Sequence, residues 1–376
     1  MSNSNIAIIG LGMTTAVGFD HKTACASFRA GITRIKKLDS YRYFDDEENE
    51  DAEISAHVAS PNFPDAEGLG NILALGLHAF DDLIQSSKSL SNQPEIRTGF
   101  ILALPDLTFR EDTEIDDDAT GDIDLSYGKR FKMDCDQLLI PRLLKTSRCN
   151  VDVVKTKIRY GDHCSFFLAL QDGIASIISG EVDRCIVGGI DSYLDELSLD
   201  WGLTNKRIKT ENNSAGFIPG EAAAFILIEN LDRALQNGVD ILAKINSPVI
   251  KQEEVDEDVN KPAMGGALGL AILEVVENAD CQEGYASIGN LNGEVSYARE
   301  WGNISSKLIA TYPSFKQLDC SYPAESFGET GCASIGLSIG VCIQSFDRNY
   351  SNSDNVLIWS ISDTENRGAL LVTKNY

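Results

Sequence analysis

The thiol of Cys164 is the side chain in this sequence whose position most favours covalent chemistry. It directly precedes an apolar segment, residues 165–179, whose pattern predicts a helix that ends at Gly180. A thiol at the N-terminus of a helix feels the positive end of the helix dipole, which favours the thiolate. The thiolate is the nucleophilic form of cysteine, so this placement would suit covalent catalysis. The alternative is that Cys164 is only a small residue of the core.

Other patterns that often bind cofactors are incomplete in this chain. The nine cysteines occur singly, without a C-x-x-C pair, which argues against a zinc ribbon or a disulfide framework. The opening glycines, Gly10 and Gly12, are followed by Thr15 where the dinucleotide fingerprint requires its third glycine. The acidic run from Asp116 to Asp118 lacks the spacing of an EF-hand loop. We therefore predict no cofactor and no bound metal.

Composition and charge argue against several classes of function. The chain has 376 residues and a formal net charge of −25, from 57 acidic and 32 basic residues. Binding to nucleic acid or to an anionic membrane by charge needs a basic face, so neither is predicted. No apolar run approaches the roughly 20 residues of a membrane span, and the N-terminus lacks the pattern of a secretion signal. Together with the single cysteines, these features predict a cytoplasmic protein.

Strand and helix patterns alternate along the chain, which predicts an α/β fold with buried parallel sheets. The rhythm repeats, which predicts two duplicated halves: residues 1–240, which contain Cys164, and residues 241–376. Predicted strands lie at residues 5–10, 97–104, 184–190, 222–229, 243–251, 285–290, 356–360 and 368–373. Predicted helices lie at residues 21–30, 69–84, 165–179, 268–278, 305–311 and 332–346.

Four motifs share their order and spacing with a known family. They are Gly10-Leu-Gly12 with the turn after it, Gly161-Asp-His-Cys164 with its helix, Ala215-Gly-Phe-Ile-Pro-Gly-Glu-Ala-Ala-Ala224, and Ser326-Phe-Gly-Glu-Thr-Gly-Cys-Ala-Ser334. In this arrangement the chain resembles the β-ketoacyl-acyl-carrier-protein synthases, which are condensing enzymes of the thiolase fold. The resemblance spans nearly the whole chain. Its Gly-Phe-x-x-Gly-Glu-Ala-Ala and Cys-plus-helix signatures are the specific ones.

The resemblance implies a thiolase-like, five-layered α-β-α-β-α arrangement of two duplicated halves, usually assembled as a homodimer. It implies that Cys164 is the acyl-accepting nucleophile and that Glu221 is a buried acid supporting the site. It also implies a substrate carried by an acyl carrier protein or by coenzyme A. An acidic carrier would dock on bases whose spacings from Cys164 resemble those of the family. These bases are Lys129, Arg130, Lys206 and Arg207.

The chain departs from the family where the elongation chemistry resides. Elongating members use two histidines after the cysteine, whereas all four histidines of this chain lie at or before position 163. By the match, Asn292 stands at the first histidine position and Gly328 at the second. Thr364 stands in the glycine-rich loop and could still offer a backbone N–H to an oxyanion. The loss of two acid–base groups predicts that decarboxylative condensation is absent.

Nearby residues could replace part of what is lost. His163 precedes Cys164, but neighbours on an extended segment point to opposite faces, which favours a supporting role over that of a base. Glu294, Glu329 and Glu365 lie near the vacated positions and could act as bases for hydrolysis. The alternative for these carboxylates is a solvated place on loops.

Two functions therefore stay open. The first is a ketosynthase-like protein that transfers or hydrolyses acyl groups through Cys164 without forming a carbon–carbon bond. The second is a catalytically inactive ketosynthase-like subunit, in a homodimer or in a heterodimer with an active synthase. Relatives of the second kind shape the channel of their partner and usually lose the cysteine as well. Because Cys164 is retained, the sequence favours the first.

Overall fold

The computed structural model describes residues 6–45, 49–59, 68–111, 126–253, 263–277, 284–315 and 318–376. The first seven strands are β1 (Ile6–Thr14), β2 (Ile35–Asp45), β3 (Glu50–His57), β4 (Thr98–Pro105), β5 (Val153–Gly161), β6 (Arg184–Ser192) and β7 (Glu221–Asn230). The first eight helices are α1 (His21–Arg29), α2 (Leu69–Ser86), α3 (Lys88–Asn92), α4 (Tyr127–Asp134), α5 (Ile140–Thr146), α6 (Ser165–Ile178), α7 (Glu196–Thr204) and α8 (Leu231–Gln236). The acidic run at Asp116 to Asp118 lies outside the described residues.

The remaining strands and helices follow residue 241. The strands are β8 (Ala243–Ile245), β9 (Val249–Gln252), β10 (Ala286–Gly289), β11 (Asp319–Ser321), β12 (Asn355–Ile361) and β13 (Asn366–Lys374). The helices are α9 (Gly266–Glu277), α10 (Val295–Thr311), α11 (Ala324–Phe327) and α12 (Ser334–Asp347). None of the helices in these ranges is both long and apolar enough to cross a bilayer.

Two sets of strands repeat one topology. The first set is ordered β5-β4-β6-β7-β1, and the second is ordered β11-β10-β12-β13-β8, with β9 also paired to β13. In the first set β5, β4 and β6 are parallel, and β7 is antiparallel to β6 and β1. In the second set β11, β10 and β12 are parallel, and β13 is antiparallel to β12 and β8. The sets join where β1 pairs with β8. The division at residue 240 stays a prediction, since this pairing crosses it.

The layers follow from which faces are apolar. Helix α12 is buried continuously from Ile335 to Phe346, as expected for a helix enclosed on all sides. It packs on β7 and on β12, and it contacts α6, which packs on β4 and β6. Helix α2 covers the outer face of β1 and β7, while α9 covers β13. The chain thus forms alternating helix and sheet layers with α6 and α12 in the middle, and the predicted α/β fold is confirmed.

Several elements differ from the expected ones. Strand β5 and helices α4 and α5 form where the sequence predicted no element, and β2 and β3 form an additional hairpin. The strand expected at residues 243–251 is two strands, β8 and β9, separated by a segment that contains Pro248. Helix α10 begins at Val295, ten residues before its predicted start at Ser305.

The closest approach between β1 and α2 occurs at Gly12. A Cβ atom on Gly12 would lie 2.0 Å from the carbonyl oxygen of Ala79 and 2.4 Å from the backbone nitrogen of Leu83. Backbone atoms inside a packed helix can move aside only at a considerable cost in free energy. The glycine at this position therefore sets the distance between the sheet and its outer helix.

We expect Gly12→Ala to lower the free energy of unfolding by more than about 2 kcal/mol, because the new methyl group overpacks this contact. Urea denaturation measures the change. Gly302→Ala in α10 is the matched control, because a Cβ there meets no atom within 4 Å. Helix propensity predicts that the control gains up to about 1 kcal/mol. Similar effects of the two substitutions would contradict this packing argument.

Candidate active site

Cys164 lies at the N-terminus of α6, between the end of β5 and the middle helix layer. Its side chain is fully buried. The sulfur contacts the carbonyl oxygens of Ser360 at 3.8 Å and Asn366 at 3.7 Å. Burial, reinforced by the nearby Asp162 carboxylate, raises the pKa of the Cys164 thiol to about 12. These effects outweigh the expected influence of the helix dipole, so the group is a thiol at neutral pH.

The backbone donors around the sulfur are already hydrogen-bonded. The N–H of Cys164 donates to Ser362 Oγ at 3.1 Å, and that hydroxyl donates to Asp162 Oδ1 at 2.5 Å. The N–H of Thr364, the donor expected from the glycine-rich loop position, donates to Asp162 Oδ2 at 3.0 Å. An acyl oxygen at this place would have to displace the carboxylate of Asp162.

A buried ion pair lies beside Asn292, the residue that the resemblance sets at the first histidine position. His163 Nε2 lies 2.8 Å from Glu329 Oε1, and both side chains are almost fully buried. Asn292 Nδ2 donates to Glu329 Oε2 at 2.6 Å, and the N–H of Gly331 donates to Oε1 at 2.8 Å. Glu329 is therefore a bonded core group rather than the solvated loop carboxylate that the sequence also allowed.

Charge coupling sets the protonation of this pair. Burial by itself lowers the pKa of His163, but the Glu329 carboxylate overcomes it and raises that pKa to about 9. Burial raises the pKa of Glu329, yet the His163 charge and the hydrogen bonds hold it below its usual value. At neutral pH the pair is imidazolium and carboxylate. His163 is thus the charged partner of Glu329 and cannot accept a proton from Cys164.

Gly328, which the resemblance sets at the second histidine position, is packed against a residue from a distant part of the chain. Gly328 has a φ of 79°, and a Cβ on it would lie 2.8 Å from Cδ2 of His57. His57 ends β3, is buried, and has a pKa that burial lowers to about 4. The neutral imidazole of His57 therefore takes the space that a side chain at position 328 would need. Sequence reasoning missed His57, since nothing in its local pattern marks it.

The sequence and the fold of this chain can be compared with those of known proteins. No family model matches the chain. The highly reducing polyketide synthase cm3B of Cordyceps militaris is 28% identical over 158 residues, which cover 38% of this chain and 6% of that protein. The chain therefore corresponds to a small part of that relative's length.

Solved structures match the chain over its whole length. The complex of a type II PKS acyl-carrier protein with its ketosynthase, bound to the hexaketide, contains a chain that superimposes with a TM-score of 0.76. That match has 14% identity and covers 100% of both chains. The chain has the ketosynthase fold. The ishigamide ketosynthase/chain length factor superimposes with a TM-score of 0.70 at 15% identity, covering 99% of this chain and 100% of the other.

A third similar structure supports the same assignment of fold. It is a β-ketoacyl synthase from Burkholderia phymatum, with a TM-score of 0.72 at 15% identity and coverage of 99% of this chain and 100% of that one. The predicted thiolase-like architecture is thereby confirmed.

On this ketosynthase fold, Arg207 does not lie where a docking base should. Its guanidinium donates to both oxygens of Glu294 at 2.7 Å and to Asp363 at 2.7 Å, and its side chain is 18% exposed. Tyr297 also donates to Asp363, at 2.7 Å. Buried carboxylates draw the arginine inward because an unpaired buried charge is costly. The surface role expected for Arg207 is therefore corrected, whereas Lys206 is exposed.

The other expected docking bases are exposed, whereas the expected supporting acid is buried. Lys129 and Arg130 are exposed on α4. Glu221, at the start of β7, is buried and accepts hydrogen bonds from the N–H of Ala59 at 2.9 Å and from Asn71 at 3.0 Å. Glu221 therefore ties β7 to the end of the β2–β3 hairpin and to α2.

Little space adjoins the sulfur. Phe166 and Phe167 are fully buried, and the Phe167 ring would lie 2.5 Å from a Cβ at Gly368. A cavity beside Glu329 and Gly328 measures about 10 Å³, roughly the volume of one water molecule. Across the described ranges, no three His, Cys, Asp or Glu side chains are grouped as metal ligands.

We expect the His163–Glu329 pair to make stability depend on pH. Because the folded state raises the pKa of His163, its contribution is complete below the unfolded pKa near 6.5 and is lost as pH rises through about 9. The loss is on the order of 3 kcal/mol. Urea denaturation between neutral pH and about pH 10 measures it. In Glu329→Gln the decline should be smaller by this amount, and the part that remains comes from buried thiols such as Cys164, whose pKa is also raised in the folded state.

Glu325→Gln is the control for that experiment, because Glu325 is exposed on α11, four residues before Glu329. It should keep the pH dependence of the wild type. An unchanged decline in Glu329→Gln would show that His163 is not held charged by Glu329.

Proposed function

We propose that this chain is a catalytically silent subunit of ketosynthase fold that acts by pairing with another chain of the same fold. The observation that carries the proposal is the filled site around Cys164. The hydroxyl of Ser362 and the carboxylate of Asp162 hold the two N–H groups that would stabilise an acyl oxyanion. Oxyanion donors of this kind typically contribute 10²- to 10³-fold each to acyl-transfer rates.

The protonation states argue in the same direction. Acyl transfer begins with a thiolate, and a buried thiol whose pKa is raised to about 12 supplies very little of it at neutral pH. The two positions for histidines hold Asn292 and Gly328, and neither residue can move a proton. His163 has a carboxylate partner, Glu329, which raises the pKa of the imidazole and keeps it protonated at neutral pH.

The alternative is acyl transfer or hydrolysis through Cys164. It is supported by the cysteine at the start of α6, and the exposed Lys129, Arg130 and Lys206 fit an acidic carrier protein. A carrier protein or coenzyme A thioester as substrate stays a prediction. The geometry favours the silent subunit, since the acyl group would need both a thiolate and space beside Phe167.

We expect no covalent acyl adduct on the wild-type protein after incubation with a panel of acyl-carrier and coenzyme A thioesters. Intact-protein mass spectrometry measures the adduct, and an active ketosynthase treated in parallel shows that the thioesters are competent. Cys164→Ala should fold with unchanged oligomeric state and support the cellular role as well as the wild type. An acyl mass on the wild type that is absent from Cys164→Ala would overturn the proposal.

The edge strand β5 is the surface that best fits pairing. In the described sheet it pairs with β4 and forms the end of the strand order. Lys157 and Arg159 both pair with Asp172, at 2.8 and 2.6 Å, which lowers the positive charge along β5. A nine-residue edge without proline is a ready template for another strand. We infer that a second ketosynthase-fold chain, in the first instance a copy of this one, pairs along β5.

We expect the wild type to have twice the 40.9 kDa mass of the chain in solution and Val154→Lys to have the mass of one chain. Val154 is 48% exposed on β5, and a lysine there would place a charge in the paired edge. Light scattering after size exclusion measures both masses. Leu235→Lys on α8, where Leu235 is 58% exposed, is the control and should stay dimeric. A monomeric wild type would contradict pairing between copies.

A further inference from the structure

Asp162 accepts three hydrogen bonds from the segment after β12. Its Oδ1 accepts the Ser362 hydroxyl at 2.5 Å. Its Oδ2 accepts the N–H of Thr364 at 3.0 Å and the Thr364 hydroxyl at 3.1 Å. One carboxylate, two positions before Cys164, thus holds three donors that belong to the opposite half of the chain.

The segment that Asp162 holds covers the thiol of Cys164. Residues 362–365 form the β12–β13 turn, and the sulfur contacts one carbonyl oxygen in each flanking strand, that of Ser360 in β12 and that of Asn366 in β13. Within the turn, the Ser362 hydroxyl also accepts the N–H of Cys164. The turn therefore cannot move off the sulfur while Ser362 and Thr364 are bound to Asp162.

Other residues fasten the same turn from further away. Arg367 donates to the carbonyl oxygens of Ser362 at 3.1 Å and Thr364 at 2.6 Å, and Arg207 pairs with Asp363 at 2.7 Å. These contacts fix the turn, but none of them occupies a donor next to the sulfur. Asp162 is thus the group that both fixes the turn and fills the place of an acyl oxygen.

We propose that Asp162 is an autoinhibitory group, whose carboxylate occupies the acyl-oxygen position beside Cys164 and keeps a latent nucleophile covered. This inference rests on the proposed silent function and gives its physical cause. Removal of the carboxylate frees the N–H of Thr364 and, once the Ser362 hydroxyl turns away, the N–H of Cys164. It also removes the negative charge that disfavours the thiolate.

The reaction that becomes available is thioester exchange. The Cys164 sulfur bonds to the acyl carbon, and the bond between that carbon and the donor sulfur breaks. The donor leaves as a thiol, carrying a proton equivalent to the one that Cys164 releases. The acyl oxygen gains charge in the step and meets the freed N–H groups of Cys164 and Thr364.

The test compares Asp162→Ala with Asp363→Ala. Asp363→Ala loosens the turn by removing the partner of Arg207 and Tyr297, but it leaves the Asp162 contacts in place. The readout is the alkylation rate of Cys164 by iodoacetamide, followed on its tryptic peptide, with buried Cys185 as the internal reference. We expect Asp162→Ala to react at least about tenfold faster at Cys164, as for a fall of one pKa unit. Asp363→Ala should react less than about threefold faster.

Ser362→Ala provides a second variant in case Asp162→Ala folds poorly. It removes the hydroxyl that joins Asp162 to the N–H of Cys164, and it should accelerate alkylation of Cys164 to an intermediate extent. An unchanged rate in both variants would overturn the proposal. So would an equal increase at Cys164 and Cys185, because that pattern indicates general loosening of the core.

The two proposals fail in different ways. With an N-acetylcysteamine thioester, Asp162→Ala should gain an acyl mass that Asp162→Ala combined with Cys164→Ala lacks. An acyl mass on the wild type would overturn the silent function, whatever the variant does. A silent wild type together with a silent, well-folded Asp162→Ala would overturn only the inhibitory role of Asp162.

Discussion

Charges buried between the two halves of the chain have to be paired, and this requirement determines the arrangement of the whole site. The carboxylate of Glu329 is held by His163 and Asn292, and that of Asp363 is held by Arg207 and Tyr297. Removal of one partner leaves an uncompensated buried charge, at a cost of several kcal/mol. Each side chain therefore has one arrangement, and the site is a locked network rather than an open pocket.

The network occupies space that the ketosynthase fold can otherwise give to a substrate. His57 lies against Gly328, and Phe167 lies within contact distance of the space above Gly368. The fold and the contents of its site are thus separable: the same layers can enclose either a reaction chamber or a packed core. In this chain the contents are largely polar side chains bonded to one another, together with His57, whose imidazole is kept neutral by burial.

Much of the fold was predictable, because its elements have strong local patterns. The apolar runs of α6 and α12 predict buried helices, and the structure has both within a few residues of the expected ends. Strand β5 was missed because Lys157 and Arg159 give it the composition of a charged surface. The structure pairs both with Asp172 on α6, which lowers the positive charge that they bring to the edge of the sheet.

The sequence by itself determined the α/β class, the place of Cys164 at the start of a helix, and the absence of any histidine after it. These are local or countable properties. Tertiary structure decided which groups meet: Ser362 reaches the N–H of Cys164 across 198 positions, and Thr364 reaches Asp162 across 202. A sequence records that a residue is charged or polar, but the direction of its side chain depends on partners brought close only by folding. For that reason the Cys164 motif can be recognised in the sequence, whereas the protonation state of its thiol depends on the residues that folding places around it.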